Sequence, residues 1–328
     1  MHCLLSRTLA LACGAVLAAN AFGQAAPTDS ARSYPTRPVR VIAPFPAGSN
    51  TDQVARVTGN QLQKALGQPF IVENKPGAQG SIAADAVAKS APDGYTLLLT
   101  TNSPLAANVS LFKKLPYDPV KDFAPVARVG VTAFVIMVKP DFPAKTLGEL
   151  IALAKSKPGM LSGGSGGGGG QISIALLKSM AKIDVMEVSY KGVPQAVTDV
   201  LGGNISFALV DLGNAAAQAK GGNLIPLGVT LDKRTPLAPG VPAIAETLPG
   251  FDVVPWLGLV APAGTPPEIV AKLYDAIATA LARPEVKASL ANTGTDVAPM
   301  NPSEFSRFIQ SEIGKWAILV KLAGLHPE

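Results

Sequence analysis

Between residues 163 and 171 the chain reads Gly-Gly-Ser-Gly-Gly-Gly-Gly-Gly-Gln, and three chemistries have to be weighed there. Gly164, Gly166 and Gly169 satisfy G-x-G-x-x-G, the fingerprint of a dinucleotide site. Almost any glycine run contains that pattern, no acidic residue closes a second strand at the usual distance, and the absence of Gly-Lys-Ser/Thr excludes a P-loop. Gly163-x-Ser165-x-Gly167 also fits a nucleophile elbow, with Asp211 and His326 following in hydrolase order. A triad needs its histidine held rigidly against both partners, whereas His326 stands close to the chain end, where order is least expected. The third chemistry is anion capture. A helix N-terminus offers unpaired N–H groups and a partial positive charge, and glycine lets a ligand come close to them.

Other strand ends repeat the signature. Pro44-Phe45-Pro46-Ala47-Gly48-Ser49-Asn50-Thr51-Asp52 and Asn74-Lys75-Pro76-Gly77-Ala78-Gln79-Gly80-Ser81 each pass from small residues into a helix, and Thr100-Thr101-Asn102-Ser103-Pro104 adds hydroxyls and an amide. Ser49, Asn50 or Thr51 would serve as an ordinary N-cap, but three such ends in succession exceed what capping requires. Ser189-Tyr190-Lys191-Gly192 brings a phenol and a cation to another strand end. Val210-Asp211-Leu212-Gly213-Asn214 brings a carboxylate that either caps the next helix or selects a ligand ammonium or hydroxyl.

The elements that must position these loops alternate. Strands are expected at 39–43, 70–73, 95–100, 126–131, 133–139, 161–162, 184–189, 205–211, 225–230 and 253–261. Helices are expected at 52–66, 81–89, 147–156, 172–182, 194–201 and 214–220, and three more, at 267–281, 284–292 and 302–322, close the chain. Strands alternating with helices of this length argue for parallel α/β layers, with ligands at the carboxyl ends of the strands. The pattern restarts near residue 132, so two α/β units joined around 130–135 and 250–256 form two lobes between which the chain crosses twice.

The totals narrow the class. Of 328 residues, 48% are apolar and 16% charged, enough for a sizeable core. The net charge of +5 is spread without a basic stripe, which argues against nucleic acid. Met1–Arg7 is short and basic, 8–21 is an apolar run too short to span a bilayer, and Ala21-Phe22-Gly23 offers small residues for cleavage. Residues 1–23 therefore read as a signal peptide cut near Gly23, 24–36 as a leader, and the periplasm as the destination. Cleavage removes both cysteines, Cys3 and Cys13, and with them any disulfide, cysteine-based zinc site or cysteine nucleophile. No cofactor, metal site or catalytic residue is expected, and the protein is expected to be a monomer.

The ordered set of short motifs resembles a known family. Pro44–Gly48 with Asp52, Glu73–Ala78 with Gly80, Asp93-Gly94-Tyr95-Thr96-Leu97, Tyr190-Lys191-Gly192, Asp199–Gly203, Pro239-Gly240-Val241-Pro242, Trp256–Leu259 and Ala261–Pro266 are similar to the Bug/TctC family. Its members are periplasmic solute-binding proteins of tripartite tricarboxylate transporters. The resemblance spans the chain from about residue 35. It implies a type II periplasmic binding protein, a Venus flytrap whose lobes are each a β-sheet flanked by helices: lobe 1 from 37–131 and 253–328, lobe 2 from 132–252. It implies a small carboxylate gripped by Phe45, Ala47, Gly48, Ser49, Asp52, Ala78, Gln79 and Gly80, with Thr101 and Asn102 beside them, and by Ser165, Gly166, Gln171, Tyr190 and Asp211 from lobe 2. The partners implied are transporter membrane subunits; a sensor protein is the alternative, and an exported serine hydrolase using Ser165 a remoter one. One departure stands out: where the family carries polar residues and a histidine, this chain has Gly167, Gly169, Gly170 and Ile172. A less polar or differently shaped ligand end is expected there.

Overall fold

A computed structural model describes residues 33–327; the expected signal peptide and nearly all of the leader lie outside the described residues. Among the described residues, eleven strands form two sheets. The first holds β1 (Val39–Ala43), β2 (Phe70–Asn74), β3 (Thr96–Thr101), β4 (Phe123–Val131), β10 (Trp256–Pro262) and β11 (Asp296–Met300), in the order β11-β4-β10-β3-β1-β2. The second holds β5 (Phe134–Val138), β6 (Leu161–Ser165), β7 (Val185–Ser189), β8 (Phe207–Asp211) and β9 (Ile225–Val229), in the order β7-β6-β8-β5-β9. Both sheets are mixed rather than parallel throughout. β1 runs parallel to β2 and β3, as β6 does to β7 and β8. The strands that enter from the other sheet, β5 and β10, pair antiparallel with both neighbours.

The helices are α1 (Asn50–Leu66), α2 (Ser81–Ala88), α3 (Asn108–Leu111), α4 (Leu147–Ser156), α5 (Gly168–Ala181), α6 (Val193–Leu201), α7 (Leu212–Lys220), α8 (Pro267–Ala282), α9 (Pro284–Asn292) and α10 (Pro302–Leu322). Their starts follow from local chemistry. The Ser49 hydroxyl accepts from Asp52 N, Thr146 forms a capping box with Glu149, and Asn301 does so with Glu304. Proline occupies the first turn of α8, α9 and α10, where its missing N–H costs nothing. β11 and the turn at Ser103–Ala107 are not among the sequence expectations.

The two sheets meet at a hinge made of the crossing segments. Thr132 N donates to Pro255 O at 2.9 Å, Leu212 N to Ala133 O at 3.0 Å and Val253 N to Thr230 O at 2.8 Å. One apolar cluster runs through both sheets, from Leu98 and Leu105 to Ile172, Phe207 and Leu209, and on to Trp256, Phe305 and Trp316. Trp256 and Phe305 meet edge to face, with centroids 5.5 Å apart at 89°.

The interlobe cleft

Five polar or backbone-lined segments converge where the hinge opens toward the strand ends, enclosing a cavity with about 50 Å³ open to the centres of water molecules. One water needs roughly 10–15 Å³ by that measure, so a small organic ligand has room. Of the residues expected to bind, Phe45, Ser49, Thr101, Asn102, Gly166 and Asp211 line this cavity. So do Asn50, Thr51, Ser103 and three further residues of the α5 turn and α6 start, Gly167, Gly169 and Val193. Thr132, Phe134 and Pro255 complete the wall. These last three belong to or adjoin the crossings, a location that a search for strand-end polar motifs passes over.

The remaining expected residues stand elsewhere, and their bonds say why. Gly48, with φ +81°, donates its N–H to Asp52 Oδ2 at 3.0 Å. Gly80 N donates to Gly77 O at 2.9 Å. Both amides are thus spent inside their own loops. Ala47 and Ala78 are exposed at the rim. Asp52 is buried and accepts from Gly48 N, from Asn74 Nδ2 at 3.0 Å and from two nitrogens of Arg56 at 2.9 and 3.1 Å. Burial by itself would push this carboxyl up, but the bonds from Arg56, Gly48 and Asn74 outweigh it and hold it below the usual aspartate range. Asp52 therefore stiffens the loop that carries Phe45 and Ser49. Because its folded-state affinity for a proton is depressed, its contribution is present at neutral pH and lost in acid. Asp52→Asn is expected to lower stability by about 1–2 kcal/mol at pH 7. The gap from wild type should shrink as pH falls below the ordinary aspartate value of 3.8, as read by urea titrations at several pH values.

On the second lobe, Tyr190 donates to Asp199 Oδ2 at 2.6 Å in a surface groove away from the cavity; burial and that carboxylate push the phenol up to about 12. The Ser165 hydroxyl donates to Glu187 Oε1 at 3.2 Å. Asp211 takes its bonds from Asn214, and His326 is exposed, so the three residues in hydrolase order are engaged apart from one another. Among the described residues, no group of three or more His, Cys, Asp and Glu side chains is placed to hold a metal.

The glycine run is built differently from a flexible turn. β6 extends through Gly163 and Gly164 to Ser165, and α5 begins at Gly168 rather than at Ile172, with Gly168, Gly169 and Gly170 buried in its first turn. A Cβ on Gly166 would lie 2.2 Å from Val193 N, and one on Gly168 2.5 Å from Gln79 Oε1 across the cleft. The run is bare because both lobes pack onto it: Gly192 and Val193 of its own lobe against Gly166, and Phe45, Gln79 and Leu111 of the other against Gly167 and Gly168.

The lobes are shut on one another. Asn214 Nδ2 donates to Gly48 O at 3.0 Å, Gln79 Nε2 to Gln171 Oε1 at 2.5 Å, and Gly169 N to Ser103 Oγ at 3.4 Å. Asp211 is the hub of one side. Its oxygens accept from Asn214 N at 3.2 Å and from Asn214 Nδ2 at 3.0 Å, capping α7. Asp211 thus lines the same cavity as Asn50 and Thr51 of the first turn of α1. Burial pushes the Asp211 carboxyl above the usual aspartate range against the lowering effect of these bonds.

Comparison with known proteins places this geometry. The family described as the tripartite tricarboxylate transporter family receptor, TctC, matches residues 54–325. Protein BugT of Bordetella pertussis is 38% identical over 308 residues, covering 92% of this chain and 94% of that protein. The structure of R. palustris Rpa4515 with adipate is 32% identical, covers 90% of this chain and 100% of its own, and superimposes with a TM-score of 0.88. MatC from Rhodopseudomonas palustris with bound malate is 35% identical over 88% of this chain and 100% of its own, with a TM-score of 0.82.

Proposed function

Because the chain belongs to the TctC family of tripartite tricarboxylate transporter receptors, we propose that it is a periplasmic receptor whose lobes close on a small carboxylate and present it to transporter subunits in the membrane. The single observation that carries this reading is the enclosed cavity at the hinge, walled by the N-terminal turn of α5 on one side and by hydroxyl and amide groups of Ser49, Thr101, Asn102 and Ser103 on the other. Unpaired amides at a helix start attract a negative group, and closure removes the water that would compete for them. Two structurally similar relatives hold adipate and malate, which are carboxylates. Residues 1–23 are taken as the export signal; 37–131 with 253–328 and 132–252 are taken as the two lobes moving about the Thr132–Pro255 hinge, a closure of the hinge type. A receptor of this kind requires no nucleophile or base, and none is assigned.

Thermal-shift screening of the mature chain against short carboxylates tests the reading. A true ligand at 100 times its Kd adds about 2.7 kcal/mol by mass action, so the melting temperature should climb with concentration. If only uncharged sugars or cations stabilise the protein, the reading is wrong.

A further inference from the structure

Asp211 is the one charged side chain in the cavity wall, and no Lys, Arg or His lines the cavity with it. It is 3% exposed, and its cap leaves it short of a donor. Asn214 Nδ2 lies 3.0 Å from each carboxylate oxygen and also 3.0 Å from Gly48 O. An amide nitrogen has two hydrogens, so these three acceptors cannot all be served. Oδ1 has Asn214 N as well; Oδ2 is the oxygen left wanting. Other donors in the wall are turned elsewhere: Asn50 Nδ2 gives to Thr293 O at 2.6 Å, and Thr132 Oγ1 to Gly294 O at 2.7 Å. A buried carboxylate calls for a cation or a full set of hydrogen bonds, and burial pushes this one's affinity for a proton up.

Elsewhere the wall has the opposite character. Val193, the first residue of α6, lines the cavity, and α6 starts there with no side-chain cap, so its N–H has no acceptor within the helix. At the α5 start, by contrast, Gly169 N already meets Ser103 Oγ at 3.4 Å. Asn102 is 1% exposed and also lines the cavity; its Oδ1 accepts from Thr101 Oγ1 at 2.7 Å, which fixes the amide, and its Nδ2 has no partner. One cavity thus combines donors without acceptors and an anion without a cation.

Resting on the carboxylate reading above, we infer that the ligand is an amino carboxylate and that Asp211 is the residue that selects it. The ligand's carboxylate is served by the start of α6 and by Asn102 Nδ2, and its ammonium donates to Asp211 Oδ2. A hydroxyl in place of the ammonium would supply the missing hydrogen but not the missing positive charge, and charge-assisted bonds are the stronger ones. Phe45 and Phe134 give apolar surface for the carbon chain between the two ends.

Matched sets test it by calorimetry on the mature chain at pH 7: butyrate, 2-hydroxybutyrate and 2-aminobutyrate; succinate, malate and aspartate; glutarate, 2-hydroxyglutarate and glutamate. Members of a set share a skeleton and differ only at the second carbon. In the set that binds best, the amino acid is expected to bind roughly tenfold or more tightly than the unsubstituted acid, with the hydroxy acid between them. Asp211→Asn keeps a side chain able to cap α7. It should weaken the amino acid by roughly tenfold or more, leave the unsubstituted acid no weaker than before, and not lower the unliganded melting temperature. An unsubstituted acid that binds as well as its amino acid overturns this inference alone and leaves carboxylate binding standing. An equal loss for both acids in Asp211→Asn does the same, because it marks a structural cap and not a ligand contact. A hydroxy acid that matches the amino acid overturns the assignment of an ammonium. Failure of every carboxylate to bind overturns both readings.

Discussion

Replacing Gly192 by alanine is expected to weaken ligand binding by roughly 5- to 150-fold while leaving the unliganded protein's melting temperature nearly unchanged, because overpacking costs about 1–3 kcal/mol and each 1.4 kcal/mol is a factor of ten. Gly192 precedes α6 with φ −176° and ψ 165°, an extended conformation open to any residue, so its own lobe tolerates the change. The obstacle lies across the cleft: the added Cβ would stand 2.4 Å from Cδ and 2.9 Å from Cγ of Pro46. A proline ring cannot swing away as a flexible side chain would, so the loop 44–48 or the whole lobe must yield. The cost falls on the closed form alone, and apparent affinity drops with the fraction of molecules able to close. Calorimetry gives the affinity, and small-angle scattering with saturating ligand should show a larger radius than wild type. Unchanged affinity would mean that the shut arrangement seen here is not the binding-competent one.

That expectation depends on a contact invisible in the sequence, and the division between what was legible and what was not runs along the same line. The β-branched runs at 39–43 and 70–73 and the amphipathic period of α1 declare themselves locally, since each element's burial pattern is written in its own residues. β11 does not: its five residues include an exposed Asp296 and Pro299, and it pairs only along β4 at the sheet edge. The parallel layers expected from strand–helix alternation give way to mixed sheets where the chain changes lobes: β5 and β10, which enter from the other sheet, run antiparallel to both neighbours. In the site, the chemistry of Ser49, Asn102 and Asp211 could be read from residue type at a strand end. Whether Gly48 N or Gly80 N faces a ligand could not, because Asp52 and Gly77 O claim those amides only once the loops have folded. The glycine run is the sharpest example. Its composition suggests looseness, while its meaning is close approach: Gly167 meets Phe45, and Gly168 meets Gln79 and Leu111, all from the other lobe.

Glu312→Leu is expected to destabilise the protein by about 2–6 kcal/mol, since it strands two buried indole N–H groups at about 1–3 kcal/mol each. Trp256 Nε1 and Trp316 Nε1 both donate to Glu312 Oε2, at 2.9 and 2.8 Å, and Glu312 is 6% exposed while the two tryptophans are 1% and 0% exposed. A leucine fills much of the volume but accepts nothing. Glu312→Gln keeps one acceptor oxygen able to take both donors, so it should recover at least half of the loss; that rescue separates the hydrogen bonds from simple packing. These are the two tryptophans of the sequence, so urea titrations followed by tryptophan emission report directly on the site altered. A leucine variant as stable as wild type would show that the carboxylate's desolvation cancels what its bonds contribute. The triad also bears on function. Trp256 directly follows Pro255, which lines the cavity and accepts the hinge bond from Thr132 N. Fixing the indole fixes the point from which β10 leaves the hinge. Glu312→Leu should therefore weaken ligand binding as well, whereas Glu312→Gln should bind nearly as wild type does.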